Sequence, residues 1–136
     1  MEQKDFTTIA AKVREVLLGQ EEAVFAYVFG STATGKTRKT SDVDIAVYLA
    51  PQEKTKFFDI RLKLLELLTR AIPSQADVLV LNTAAPFLRY VVLKEGKLVF
   101  ERNPEARLDF ELKALNEYFD YKPILEQYRN RLRASA

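Results

Sequence analysis

The sequence predicts a small α/β domain, in the α+β sense: one sheet dressed with helices and continued by helices at the C-terminal end. Three observations point there. Short apolar, β-branched segments alternate with stretches whose apolar residues recur at helical spacing. The 136 residues suit one core. From Pro104 onward the pattern is helical alone.

In chain order, Phe6, Ile9, Ala10, Val13, Val16 and Leu17 recur at helical spacing, and Gly19 is placed to end that helix. Ala23 to Phe29 is apolar, aromatic and β-branched, which predicts a buried strand. Gly30 to Ser41 is a polar loop rich in Gly, Ser, Thr, Lys and Arg, and Val43 to Leu49 reads as a second strand ended by Pro51. Lys54 to Ala71 predicts a helix with Phe57, Ile60, Leu64, Leu67 and Leu68 on its apolar stripe, closed by Pro73. Asp77 to Leu81 is a third strand, Phe87 to Lys94 a helix running up to Glu95-Gly96, and Lys97 to Glu101 a short strand after that turn. Beyond Pro104, the residues Phe110, Leu115, Tyr118, Phe119, Leu125, Tyr128 and Leu132 keep a helical period, and Pro123 is expected to split the segment into two helices. No repeat, low-complexity stretch or linker interrupts the chain, so residues 1–136 read as a single domain.

Composition narrows the chemistry. The chain has no Cys, which removes disulfides, thiolate nucleophiles and Cys-based zinc sites. It has no His, which removes Ser-His-Asp catalysis and imidazole bases or ligands. Catalysis is left to carboxylates, hydroxyls, Lys, Arg, backbone amides or an oxygen-held metal. The net charge of +2 gives no strong argument for direct nucleic-acid binding. No apolar run approaches the roughly 20 residues of a membrane helix. The N-terminus carries Glu2 and Asp5 and lacks the pattern of a signal peptide, so a cytoplasmic location is the expectation.

Two motifs share the loop after the first strand. Gly30 to Thr37, Gly-Ser-Thr-Ala-Thr-Gly-Lys-Thr, matches the phosphate-binding P-loop pattern letter for letter. That pattern has meaning only where a helix follows, because the helix N-terminus completes the phosphate cradle. Here only the five residues Arg38 to Asp42 precede the next strand, too few for the crossover helix of a parallel βαβ unit. The other motif is Gly30-Ser31, ten residues, then Asp42-Val43-Asp44. At average residue frequencies four such fixed positions arise by chance in roughly one chain in several hundred.

The chemistry needs that arrangement. Strand alternation sends Asp42 and Asp44 to one side and Val43, Ile45 and Val47 to the other. Their Cα atoms then lie about 6.6 Å apart, so both carboxylates reach a cation between them. Carboxylates this close repel, which favours a divalent counter-ion. Mg²⁺ prefers one or two carboxylates with water and substrate phosphate, and two such ions about 4 Å apart serve an in-line displacement. Gly30 lets the backbone approach a phosphate, and Ser31 can cap a turn over Thr32 to Gly35 and donate to a phosphate oxygen. Lys36 and Arg38 could neutralise departing pyrophosphate. Taken singly, Asp42 also fits a turn cap, Asp44 a surface strand position, and Lys36 and Arg38 solvated loop charges.

Gly30, Ser31, Asp42 and Asp44 resemble the signature of the nucleotidyltransferase superfamily that includes DNA polymerase beta and the aminoglycoside nucleotidyltransferases. The resemblance covers about residues 23 to 101 and leaves residues 104–136 as a helical extension. It implies the polymerase beta-like fold, a small mixed sheet flanked by helices. It also implies a third metal-site carboxylate on a later strand, a place that Asp77 fits, able to help deprotonate the acceptor hydroxyl. The whole chain, with Leu81-Asn82 and Leu88 to Phe100, looks most like the minimal nucleotidyltransferase antitoxins found beside HEPN ribonuclease toxins. That resemblance implies transfer of AMP from ATP, with Mg²⁺, to a tyrosine of a HEPN-type toxin held in a hetero-oligomer. Two other readings stay open: a steric antitoxin with no chemistry, and transfer to a small molecule such as an aminoglycoside. The C-terminal Phe110, Tyr118, Phe119, Tyr121 and Tyr128 either pack on the sheet or form a partner surface.

Overall fold

The computed structural model describes residues 6–30 and 43–134; within the last helix the side chains of Tyr121 and Leu125 also lie outside the described residues. The elements are α1 (Phe6–Leu18), β1 (Ala23–Phe29), β2 (Val43–Leu49), α2 (Lys54–Ala71), β3 (Ala76–Val80), a short 3-10 turn (Leu81–Thr83), α3 (Pro86–Glu95), β4 (Lys97–Glu101) and α4 (Pro104–Ala134). The strands form one mixed sheet in the order β3-β2-β1-β4. β1 runs antiparallel to β2 and to β4, whereas β2 and β3 are parallel.

The antiparallel β1–β2 pair decides between the loop motifs. A P-loop joins parallel strands through a crossover helix. Strands that return antiparallel cannot be joined that way, so the GxxxxGKT match at Gly30 to Thr37 is a coincidence of sequence.

Strand alternation separates two cores. On one face Ala26 and Val28 of β1, with Val43, Ile45, Val47 and Leu49 of β2, pack against Ile9, Val13 and Leu17 of α1 and Leu64 and Leu68 of α2. On the other, Phe25, Tyr27 and Ala46 meet Val92 of α3 with Phe110 and Ala114 of α4. Phe25 stacks on Tyr48 at 4.8 Å between centroids, and Phe110 tilts against both rings, which fixes α4 to the sheet. Val99 and Phe100 are consecutive yet both join the α1 side; the register shift of β4 against Ala26 and Tyr27 allows it.

Polar contacts seal the ends. Arg102, just past β4, donates to the carbonyls of Leu17, Gln20 and Ala23, tying the end of α1 and the turn into β1 to the end of β4. Asn82 pairs with both backbone groups of Leu49 at 2.8 Å, extending β2 as a neighbouring strand would. Arg89 donates to the Leu81 and Asn82 carbonyls and to Glu117, tying the 3-10 turn to α4. Gly96 ends α3 where a Cβ would overlap the Val92 carbonyl.

One expectation is corrected. Pro123 does not divide the C-terminal segment; α4 is a single helix from Pro104 to Ala134. Proline removes one backbone donor and crowds the carbonyl four residues earlier, that of Phe119. Phe119 is itself exposed, so water can satisfy that group, and good helix formers flank the proline on both sides. The third strand also begins one residue earlier than expected, and Leu81 opens the 3-10 turn.

Candidate active site

Three strand ends meet at one level. Phe29 at the end of β1 is in register with Asp44 on β2, and Asp44 is in register with Asp77 on β3. Adjacent strands lie about 4.8 Å apart, so the two aspartates are neighbours across the parallel pair. Both occupy the alternate positions whose continuation, Ala46 and Leu79, belongs to the α3–α4 side of the sheet. Val43, Ile45 and Val78, on the opposite side, are fully or nearly fully buried and anchor the level from beneath.

Gly30 follows Phe29 directly. Its φ is +77°, in the left-handed region that glycine enters without strain. A Cβ there would overlap Oδ2 of Asp44. The sequence assigned this glycine to close approach by a phosphate; the structure adds a second reason, because its bare Cα leaves the space that the Asp44 carboxylate occupies.

Asp77 is fixed differently. Its Oδ1 accepts from the Val78 amide at 2.9 Å and from Nη2 of Arg61 at 3.2 Å. Nε of the same Arg61 donates to the Val78 carbonyl at 2.7 Å. Arg61 stands on α2 beside the buried Ile60 and was not legible as a site residue. In sequence it is one charge among many on an amphipathic helix, and only the packing of α2 beside β3 brings it to Asp77. A cleft of about 360 Å³ opens beside the pair, between Lys54, Phe57 and Phe58 of α2 and Thr83 of the 3-10 turn.

Ser31, Lys36, Arg38 and Asp42 lie outside the described residues, as does the turn expected over Thr32 to Gly35. Of the expected site residues, the structure brings together Gly30, Asp44 and Asp77. Among the described residues no three acidic side chains close on one point. Asp44 and Asp77 supply carboxylate oxygen alone, and the chain has no His or Cys to add nitrogen or sulfur. That donor set suits a hard cation such as Mg²⁺, which keeps water and phosphate among its ligands.

On the same face, away from the strand ends, Tyr27 donates its hydroxyl to Glu111 at 2.5 Å, and Arg107 bridges Glu111 and Glu101. Burial, then the Glu111 carboxylate, push the Tyr27 hydroxyl well above the ordinary tyrosine range. Hydrogen bonding to Glu101 pushes the Arg107 guanidinium up as well. This cluster ties β1, β4 and α4 together, and the neutral Tyr27 is its hydrogen-bond donor.

The family described as polymerase beta, nucleotidyltransferase matches residues 11–105, more than half of the chain. The chain belongs to that nucleotidyltransferase family, and its mixed sheet with flanking helices is the family's fold. Solved structures agree. A chain of a toxin–antitoxin complex with AMP-PNP superposes with a TM-score of 0.69 at 23% identity, covering 92% of this chain and 98% of that one. A tri-AMPylated HEPN toxin of Shewanella oneidensis in complex with its MNT antitoxin gives 0.68 at 22% identity, covering 91% and 98%. A chain assigned as a minimal nucleotidyltransferase gives 0.52 at 31% identity, covering 68% and 94%. No curated protein sequence matches significantly. Among the described residues no helix is long and apolar enough to cross a membrane.

Proposed function

We propose that the protein is a Mg²⁺-dependent protein adenylyltransferase of the cytoplasm, an antitoxin that moves AMP from ATP onto a tyrosine hydroxyl of a HEPN-type ribonuclease toxin bound to it as a hetero-oligomer. The observation that carries the reading is the Asp44–Asp77 register pair beside the positive-φ Gly30, in a chain of the nucleotidyltransferase family. The superposed antitoxin chains, one from a complex with AMP-PNP and one from a complex with an AMPylated toxin, support the choice of donor and acceptor.

Asp42, Asp44 and Asp77 would hold the magnesium, expected as two ions. When bound, it supplies positive charge to the α-phosphoryl oxygens and the departing pyrophosphate. Gly30 and Ser31 would seat the triphosphate, with Lys36 and Arg38 as auxiliary counter-charges. The tyrosine oxygen forms a bond to the α-phosphorus while the α–β bridging bond breaks and pyrophosphate leaves with the electron pair. Asp77 would help to take the hydroxyl proton, directly or through water.

Pyrophosphate release with purified partner, ATP and Mg²⁺ tests this. Asp44→Asn should lower it by roughly a thousandfold, the weight of several kcal/mol of charge stabilisation. Lys36→Ala should slow it much less. Steady formation of ADP and phosphate without pyrophosphate would overturn the reading.

One observation favours steric binding as a second contribution. From Phe119 onward every described side chain of α4 is exposed, and Ile124, Tyr128 and Leu132, spaced by four, lie on one exposed face. An inhibitor that only blocks its partner would act at one-to-one ratio and without ATP.

A further inference from the structure

We propose that Arg61 is a positioning residue for Asp77, an inference that rests on the adenylyltransferase reading of the site. Its guanidinium fork holds the third carboxylate by one oxygen and presents the other to the reaction.

β3 is an edge strand of the sheet. In a parallel pair, alternate residues turn their backbone groups toward the neighbouring strand. Val78 turns its own outward, and both of them are taken. Its amide donates to Asp77 Oδ1, and its carbonyl accepts from Arg61 Nε. The second arm of the same guanidinium reaches Asp77 Oδ1. Arg61, Asp77 and the Val78 backbone thus form one closed ring of three hydrogen bonds.

The ring distinguishes this contact from an ordinary surface ion pair. Such pairs contribute little, because two flexible side chains must be ordered together, and these two are 34% and 60% exposed. Here the cation is already ordered by a main-chain carbonyl, independently of Asp77. It therefore gives the carboxylate a fixed direction. Both bonds to Asp77 fall on Oδ1, which leaves Oδ2 for a metal or an acceptor hydroxyl at the level of Asp44. A positive charge at this place also offsets part of the repulsion between the two aspartates. Lysine could not replace the fork, since one ammonium point charge has no fixed pair of parallel donors.

The test compares wild type with Arg61→Met and Arg61→Lys, in two readouts. The first is steady-state transfer. Arg61→Met should lower kcat by about ten- to hundredfold, the usual weight of a group that orients a metal ligand, with KM for ATP unchanged within about twofold. Arg61→Lys should recover only part of the loss. The second readout is amide exchange without metal or nucleotide. The Val78 amide should exchange faster in Arg61→Met and in Asp77→Asn, while the Ala46 amide in the centre of the sheet keeps its protection. A wild-type kcat in Arg61→Met, or an unchanged Val78 amide, overturns the positioning role. Were Arg61→Met to lose the protection of Ala46 as well, Arg61→Lys decides: full activity there overturns the proposal, and partial activity with faster Val78 exchange supports it. A wild-type chain that transfers nothing would instead overturn the adenylyltransferase reading itself.

Discussion

β2 and the second half of α4 both carry apolar residues at a regular spacing, yet they end differently. In β2, Val43, Ile45, Val47 and Leu49 are fully buried, and the register with β1 and β3 places Asp44 beside Asp77. In α4, Phe110 and Ala114 are buried against the sheet, whereas Ile124, Tyr128 and Leu132 are more than half exposed. The period selects an element and a face in both. What differs is the cover: β2 finds it on both sides within the chain, and the described side chains at the end of α4 stay exposed. The chain therefore separates a packed sheet end, where Asp44 and Asp77 meet in register, from a helix end whose described side chains are exposed.

Substitutions on either side of that contrast should differ in size. The largest effect is expected at Leu68, fully buried between α2 and the sheet: Leu68→Ala should cost about 2–5 kcal/mol in urea unfolding. A cost below about 1 kcal/mol would mean that Leu68 is not closely packed in this core. Gly30→Ala comes next. Its left-handed backbone alone should cost roughly 1–2 kcal/mol, and the new methyl would displace the Asp44 carboxylate. Misplacing a reacting group by about 1 Å can cost about a hundredfold in rate, so transfer should fall more than stability does. Equal transfer in Gly30→Ala would remove Asp44 from the site.

Tyr27→Phe should act on pH dependence. The folded chain holds the Tyr27 hydroxyl protonated well above the ordinary value of 10.0. The unfolded chain releases that proton near the ordinary value, so it binds fewer protons there than the folded chain does. Stability from this group is complete below about pH 10 and is lost as pH rises above it. Wild type should lose stability more steeply than Tyr27→Phe between about pH 9 and 11, and parallel curves would contradict the Tyr27–Glu111 bond. The smallest effect is expected at Leu132→Ala, within about 0.5 kcal/mol, although it should weaken partner binding if that face is the contact surface.

Much of this fold was legible because its punctuation is local. Gly19 follows the end of α1, Pro73 comes just after α2, and Gly96 caps α3, each for a backbone reason that needs no tertiary information. The spacing of Gly30 and Asp44 was legible for the same cause, since a strand converts spacing into direction. Arg61 was not legible: its partners lie 16 and 17 residues away, and no helical period marks a residue that reaches past its own helix. Pro123 misled because a single proline predicts a break only where no exposed helix can solvate the lost bond. The division among the C-terminal aromatics also needed the structure. Phe110 packs on the sheet and Tyr118 stacks on Tyr90, whereas Phe119 and Tyr128 are each 59% exposed.

We propose above that the sheet end is an adenylyltransferase site acting on a protein hydroxyl. The decisive measurement is mass spectrometry of a toxin-type partner after incubation with ATP, Mg²⁺ and a small fraction of an equivalent of this chain. Excess partner should gain one AMP mass or a small multiple, stay inactive once this chain is removed, and gain nothing from Asp42→Asn/Asp44→Asn. An unmodified partner, inhibited only at one-to-one ratio and equally well by the double variant, would contradict it.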